Sequence, residues 1–222
     1  VEPELVGESG TPREARWEED LRDGRDAIAA AGAALEAALD GGAFPVLLAS
    51  DCTIAIATLP ALARREPDVR VVWLDAHGDF NTPDTTASGY LGGMCLAAAC
   101  GRWDAGFGPG FDPRRVVLSD GRDLDAPERE EMERAQLTVV APADVPAAVR
   151  GQRVFVHLDL DVLDPSEMPF SFPAHGGMPL AALRALLAEL ARAAEIAGVE
   201  VTSTASPGAA GRLAEMLEPL IP

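Results

Sequence analysis

Lysine is missing altogether from this 222-residue chain, and all 18 basic residues are arginine. That absence removes Schiff-base and pyridoxal-phosphate chemistry and the phosphate-loop lysine together. Asparagine occurs once, at Asn81, a bias of GC-rich coding that bears little on function. Basic charge is scarce against 36 Asp and Glu, which leaves a formal charge of −18. Nucleic acids and anionic membranes are polyanions, so neither is expected as a partner. No apolar stretch reaches the roughly 18 residues needed to span a bilayer. Val1-Glu2-Pro3-Glu4 has neither the basic nor the apolar region of a signal peptide. Val1 is not an initiator Met, so the N-terminal part is expected to be trimmed or disordered. The three cysteines (Cys52, Cys95, Cys100) are an odd number in a chain too large to need staples, which predicts a reduced, cytoplasmic setting. Cys95 and Cys100 flank the apolar run Leu96-Ala97-Ala98-Ala99 and are expected to be buried helix residues.

What is present is an alternation of short apolar runs and amphipathic stretches. Strands are expected over 44–49, 69–74, 115–118, 137–140, 154–160 and 199–202. Helices are expected over 17–40, 53–65, 91–101, 126–135, 146–150, 180–197 and 208–220, with residues 1–16 as loop. Short connections between alternating strands and helices predict an α/β fold with a mostly parallel sheet. No linker or compositional break divides residues 1–222, so one domain is expected.

Ligands in open α/β sheets bind at the carboxyl ends of strands. Three strands here end in polar clusters: Ser50-Asp51-Cys52-Thr53, Asp75-Ala76-His77-Gly78-Asp79, and His157-Leu158-Asp159-Leu160-Asp161 followed by Asp164-Pro165. On an extended segment, residues at i, i+2 and i+4 face one way. Asp75, His77 and Asp79 therefore converge, and Asp159 and Asp161 repeat the pattern. Like charges brought together repel unless a cation is present. Carboxylates with one imidazole suit Mn²⁺ and similar hard ions better than a structural Zn²⁺. Five such ligands exceed the need of one open site, which favours two metals activating a shared water. His157 shares the face of Asp159 by strict alternation and can support the site from behind. His175 follows in a Gly-containing loop, where it either faces the pocket or stands at the surface.

The clusters Asp75–Asp79 and His157–Pro165 resemble the two most specific motifs of the ureohydrolases, the family of arginase, agmatinase and formiminoglutamase. Ser50-Asp51-Cys52-Thr53 stands where the family has Gly-Gly-Asp-His-Ser, and the order of elements agrees from about residue 17 to the C-terminus. The resemblance implies a three-layer α/β/α fold and a pair of Mn²⁺ ions that activate water against a guanidinium-like carbon. Carried over by position, the ligands are Cys52, Asp75, His77, Asp79, Asp159 and Asp161. Asp79 and His77 are also the expected catalytic residues, with Asp79 accepting a hydrogen bond from the attacking water. Cys52 departs from the family's His, and a thiolate matches Mn²⁺ less well, so the first metal is expected to be altered or weakly held.

The remaining positions bear on substrate. Asn81–Gly89 resembles the arginase loop that binds an α-carboxylate, with Asn81 and Ser88 as donors and Thr86 as support. Gly121–Glu128 resembles the segment whose acid meets the α-ammonium, which assigns that role to Asp125 with Glu128 near it. Both favour a small-molecule amino acid substrate over agmatine. Ser203 falls where arginase carries a guanidinium-binding Glu. Gly92 falls where arginase carries a proton-shuttling His, and Tyr90 replaces an Asn. These departures suit a less basic N-hydroxyguanidine, as in Nω-hydroxy-L-arginine giving L-ornithine and hydroxyurea. Ordinary arginase activity, and a degenerate member that binds metal or ligand without turnover, are the alternatives.

Overall fold

The computed structural model describes residues 4–6, 15–204 and 209–222. Six apolar runs pair into one sheet: β1 Val46–Leu48, β2 Arg70–Asp75, β3 Val116–Asp120, β4 Thr138–Val140, β5 Arg153–Asp159 and β6 Glu195–Thr202. Their spatial order is β1–β6–β5–β2–β3–β4, and every pairing is parallel.

Strand side chains alternate between two apolar layers, as the two-residue period requires. Val71, Trp73, Val116, Leu118 and Phe155 meet α1 (Trp17–Asp40), α2 (Ala55–Arg65), α3 (Cys95–Ala99) and α4 (Ala126–Arg134) on one face. Val72, Leu74, Val117, Val154, Val156 and Leu158 meet α5 (Val145–Ala148), α6 (Leu180–Ala193) and α7 (Ala209–Leu217) on the other. The result is the expected three-layer α/β/α arrangement with a wholly parallel sheet. The final helix was expected from Gly208, which lies outside the described residues, as does most of the segment 1–16.

Connections explain where the site falls. From β2 the chain steps outward to β3 and β4 with helices on one face. It then returns to β5 and β6 with helices on the other, as right-handed crossovers dictate. The reversal lies between β2 and β5, whose carboxyl ends carry Asp75 and Asp159.

One boundary differs from expectation. The helix predicted over 180–197 stops at Ala193; Ala194 is extended (φ −136°, ψ 159°), and Glu195 already pairs opposite Arg153. Ala and Glu favour helix locally, but sheet pairing and the Arg153–Glu195 ion pair override that preference. The helix expected over 91–101 is also shorter, with a 3₁₀ turn at Gly92–Met94 before α3.

Leu187 is fully buried in the layer opposite the site. Leu187→Ala is expected to cost about 2–5 kcal/mol in chemical denaturation and leave ligand binding unchanged in the folded protein.

Candidate metal centre

Two rungs of side chains cross the sheet on the α1–α4 face. Trp73, His157 and Glu200 stand opposite one another on β2, β5 and β6. Asp75 and Asp159 head the next rung, where Asp159 faces Thr202. All of these groups are buried.

Each strand end turns by using its own carboxylate. The His77 N–H donates to Asp75 Oδ1 (2.7 Å), and the Asp161 N–H donates to Asp159 Oδ1 (2.8 Å). The Ala76 N–H reaches Asp161 Oδ1 (3.2 Å), which ties the two turns together. Trp73 Nε1–H donates to Asp75 Oδ2 (3.0 Å). His77 Nδ1 lies 3.0 Å from Asp161 Oδ2 and 3.5 Å from Asp75 Oδ1. Asp79 closes its turn at φ +52° and Ser203 follows β6 at φ +57°, a left-handed conformation that is uncommon for non-glycine residues.

Cys52 opens a 3₁₀ turn capped by Asp51, whose Oδ1 accepts from the Thr53 N–H (2.8 Å). The Cys52 thiol donates to Asp159 Oδ2 (2.9 Å) and lies 3.0 Å from Thr202 Oγ1. All six residues expected to hold metal line one cavity of about 610 Å³. Two triples place ligand atoms within 4.8 Å of one another: Asp75, His77 and Asp161, and Cys52, Asp75 and His157. Asp75 belongs to both, the arrangement of a carboxylate shared by two cations. The donors, mostly carboxylates with imidazole and one thiol, fit a pair of divalent ions.

The electrostatics of the cluster are those of several buried acids with the basic side chain of His77 among them. Burial first, then the Asp161 charge, raises the Asp75 and Asp159 carboxyls above the usual carboxylate range. Asp79 is raised by burial and by the adjoining Cys95 and Asp75. Burial also pushes the Cys52 thiol up. Burial pulls His77 down, but its contacts with Asp161 and Asp75 outweigh this and push it up to about 11.

Asn81, Ser88, Asp125, Glu128 and Ser203 also line the cavity. The buried Asn81 Oδ1 has no hydrogen-bond partner among the described residues. Thr86 is not part of the lining; its Oγ1 accepts from the Gly89 N–H (3.0 Å) and shapes the loop. Asp125 and Glu128 form a capping box at the start of α4, and Glu128 Oε1 also accepts from the Phe80 N–H (2.9 Å). Ser203 Oγ donates to Asp159 Oδ2 (2.9 Å). His175 is exposed outside the lining, and its carbonyl accepts from Arg122 Nε (3.2 Å).

Several participants were not anticipated. Cys95 donates to Asp79 Oδ2 (3.3 Å), although it was expected to be simple helix filling. Arg122 pairs with Asp120 and donates to the carbonyls of Asp161 (2.7 Å) and Ala174 (2.9 Å), joining the Asp161 turn to the following loop. The Tyr90 hydroxyl donates to Asp51, and its ring fills the space beside Gly92, where a Cβ would lie 2.4 Å from Tyr90 Cε1. Pro169, Phe170 and Phe172 complete the lining, and Phe172 packs on Tyr90 with ring centroids 4.6 Å apart. Period-two alternation pointed to none of these, because Cys95 reaches Asp79 from the start of α3 and the others act from loops.

Comparison with known proteins adds an independent observation. The profile of the arginase family matches residues 16–212. The chain is 39% identical over 207 residues to an N(omega)-hydroxy-L-arginine amidinohydrolase of Streptomyces lavendulae, covering 91% of this chain and 76% of that one. It is 36% identical over 177 residues to an arginase of Bacillus caldovelox, covering 68% of this chain and 59% of that one. The native structure of the Bacillus caldovelox arginase superposes with a TM-score of 0.75 at 30% identity, covering 89% of this chain and 74% of that one.

The raised carboxyls and His77 hold protons in the folded state that the unfolded chain releases earlier as pH rises. Their linkage has one sign: stability of the metal-free protein falls as pH climbs above about 4. Thermal melts of metal-free protein from about pH 5 to 8 are expected to show a falling midpoint, and added divalent ion is expected to restore it.

Proposed function

The chain belongs to the arginase family, and from that premise we propose that it is a Mn²⁺-dependent hydrolase of the guanidino C–N bond of Nω-hydroxy-L-arginine, forming L-ornithine and hydroxyurea. The observation that carries the hydrolytic part is the pair of donor triples sharing Asp75 at the sheet's switch point. A divalent pair held there supplies Lewis-acid activation of water near neutral pH.

The protein's own groups do the rest. Asp79, held by the Cys95 thiol, accepts a hydrogen bond from the attacking water and orients it toward the guanidino carbon. In this reading Asn81 and Ser88 receive the α-carboxylate and Asp125 the α-ammonium, and all three lying on the cavity wall supports it. These contacts fix the reacting carbon by holding the far end of the substrate. Asp79 takes the proton of the attacking water and passes it to the δ-nitrogen as the C–N bond breaks, so that this nitrogen leaves as the amine of ornithine and the former guanidino carbon leaves in hydroxyurea. Pro169, Phe170 and Phe172 supply an apolar rim that limits water at the reacting end.

Two features favour the N-hydroxylated substrate over arginine. The cavity side of β6 ends in Ser203, a neutral group, while the strand's carboxylate, Glu200, is fully buried against His157. A strongly cationic guanidinium thus finds no β6 carboxylate in the cavity, whereas a less basic N-hydroxyguanidine needs none. Tyr90 occupies the space beside Gly92, so no proton-shuttling side chain fits at that position. The 39% identity to the Streptomyces lavendulae amidinohydrolase supports the same choice.

Purified protein supplied with Mn²⁺ and either arginine or Nω-hydroxy-L-arginine is expected to release ornithine much faster from the latter, with hydroxyurea as co-product. Equal or faster turnover of arginine contradicts the substrate assignment, and no product from either points to a binding protein. Cys52→His is expected to tighten Mn²⁺ at the first site, read by metal content after dialysis. Asp79→Asn is expected to lower kcat by about 10²–10⁴-fold with KM little changed.

A further inference from the structure

We infer that His157 supplies an additional metal ligand on the Cys52 side of the centre, with Glu200 as the residue that positions it. The inference rests on the metal-hydrolase proposal above. It goes beyond that proposal by adding a residue to the ligand set and giving the buried Glu200 a role.

His157 and Glu200 are both fully buried on adjacent strands, one rung beneath Asp159. His157 Nδ1 lies 2.8 Å from Glu200 Oε1. A carboxylate accepts only, so Nδ1 carries the hydrogen toward Glu200, and in the neutral ring Nε2 is the nitrogen that offers a lone pair. That Nε2 has no hydrogen-bond partner among the described residues, a costly state for a buried polar atom. The imidazole is also fixed in orientation, because it stacks flat on Trp73 with centroids 3.4 Å apart and planes 1° from parallel.

A buried lone pair needs a donor or a cation, and the donors nearby are already committed. Trp73 Nε1–H goes to Asp75 Oδ2, the Cys52 thiol goes to Asp159 Oδ2, and the Thr202 hydroxyl also goes to Asp159 Oδ2. A cation satisfies what is left. A ring nitrogen of His157, the Cys52 sulfur and an Asp75 oxygen all lie within 4.8 Å of one another, a span that one metal ion can bridge. A metal-bound histidine usually gives its other N–H to a carboxylate, which is the part Glu200 plays here.

The consequence is a centre with one imidazole on each side of Asp75: His77 with Asp161, and His157 with Cys52. The substitution of a thiol at position 52 does not then leave that side without an imidazole. The Cys52 side becomes the softer of the two, suited to ions such as Co²⁺ and Zn²⁺ as well as Mn²⁺.

Co²⁺ is the probe, because a thiolate–Co²⁺ charge-transfer band marks the Cys52 side independently of turnover. Titration of wild-type protein is expected to show that band. His157→Gln is expected to weaken Co²⁺ at the thiolate-marked site by at least about 100-fold and shift its d–d bands. Glu200→Gln is expected to weaken it by about 10–100-fold. Circular dichroism of the metal-free variants establishes that they fold. Wild-type Co²⁺ protein gives a second readout that needs no variant: two exchangeable imidazole N–H signals, from His77 and His157, are expected at strongly shifted proton NMR positions. A thiolate band that His157→Gln leaves unchanged, or a single shifted N–H, overturns the inference while the metal-hydrolase proposal stands. No Co²⁺ binding by the wild type overturns both.

Discussion

Four aspartates meeting at the ends of two neighbouring strands are the constraint around which this protein is organised. Asp75, Asp79, Asp159 and Asp161 are all buried, and lost hydration together with the charge of neighbouring acids raises the Asp75, Asp79 and Asp159 carboxyls above the usual carboxylate range. The parallel sheet makes this arrangement possible. Its chain reversal opens a crevice between β2 and β5, backbone N–H groups of the two turns fix Asp75, Asp159 and Asp161, and the Cys95 thiol holds Asp79. Divalent ions held there would turn the same cluster into a source of stability, because the converging ligands exist only in the folded state.

Much of this was legible in the residue pattern. Buried strands announced themselves as short, wholly apolar runs ending in polar clusters. Asp75, His77, Asp79, Asp159 and Asp161 followed from two-residue alternation, and Cys52 from its position against the family motif. The less legible parts depend on long-range contact. Glu195 and Ala197 have helix-forming side chains but join the sheet with Ile196, because β5 offers pairing partners. Arg122 and Phe172 reach the site from loops whose course no local period encodes, and Cys95 reaches it from the start of α3. Glu200 was hidden for a different reason: a lone acid in an apolar strand signals a buried partner without saying which one, and only the register of β5 against β6 identifies His157.

The substrate end is defined as much by what is filled as by what is offered. Tyr90 closes the space at Gly92 and is tied to Asp51 beside Cys52. Ser203 turns its hydroxyl back to Asp159 instead of presenting a charge to the cavity. Each of these contacts joins a metal-side residue to a substrate-side one. Under the proposed function, the residue at position 52 and those assigned to the guanidino end are thus linked by direct contacts.

The central claim is that two cations share Asp75. Equilibrium dialysis of metal-free wild-type and Asp75→Ala protein against Mn²⁺, with bound metal counted per chain, tests it most directly. The account predicts two bound ions for the wild type and loss of both on the substitution. One ion or none in the wild type, or two retained without Asp75, contradicts it.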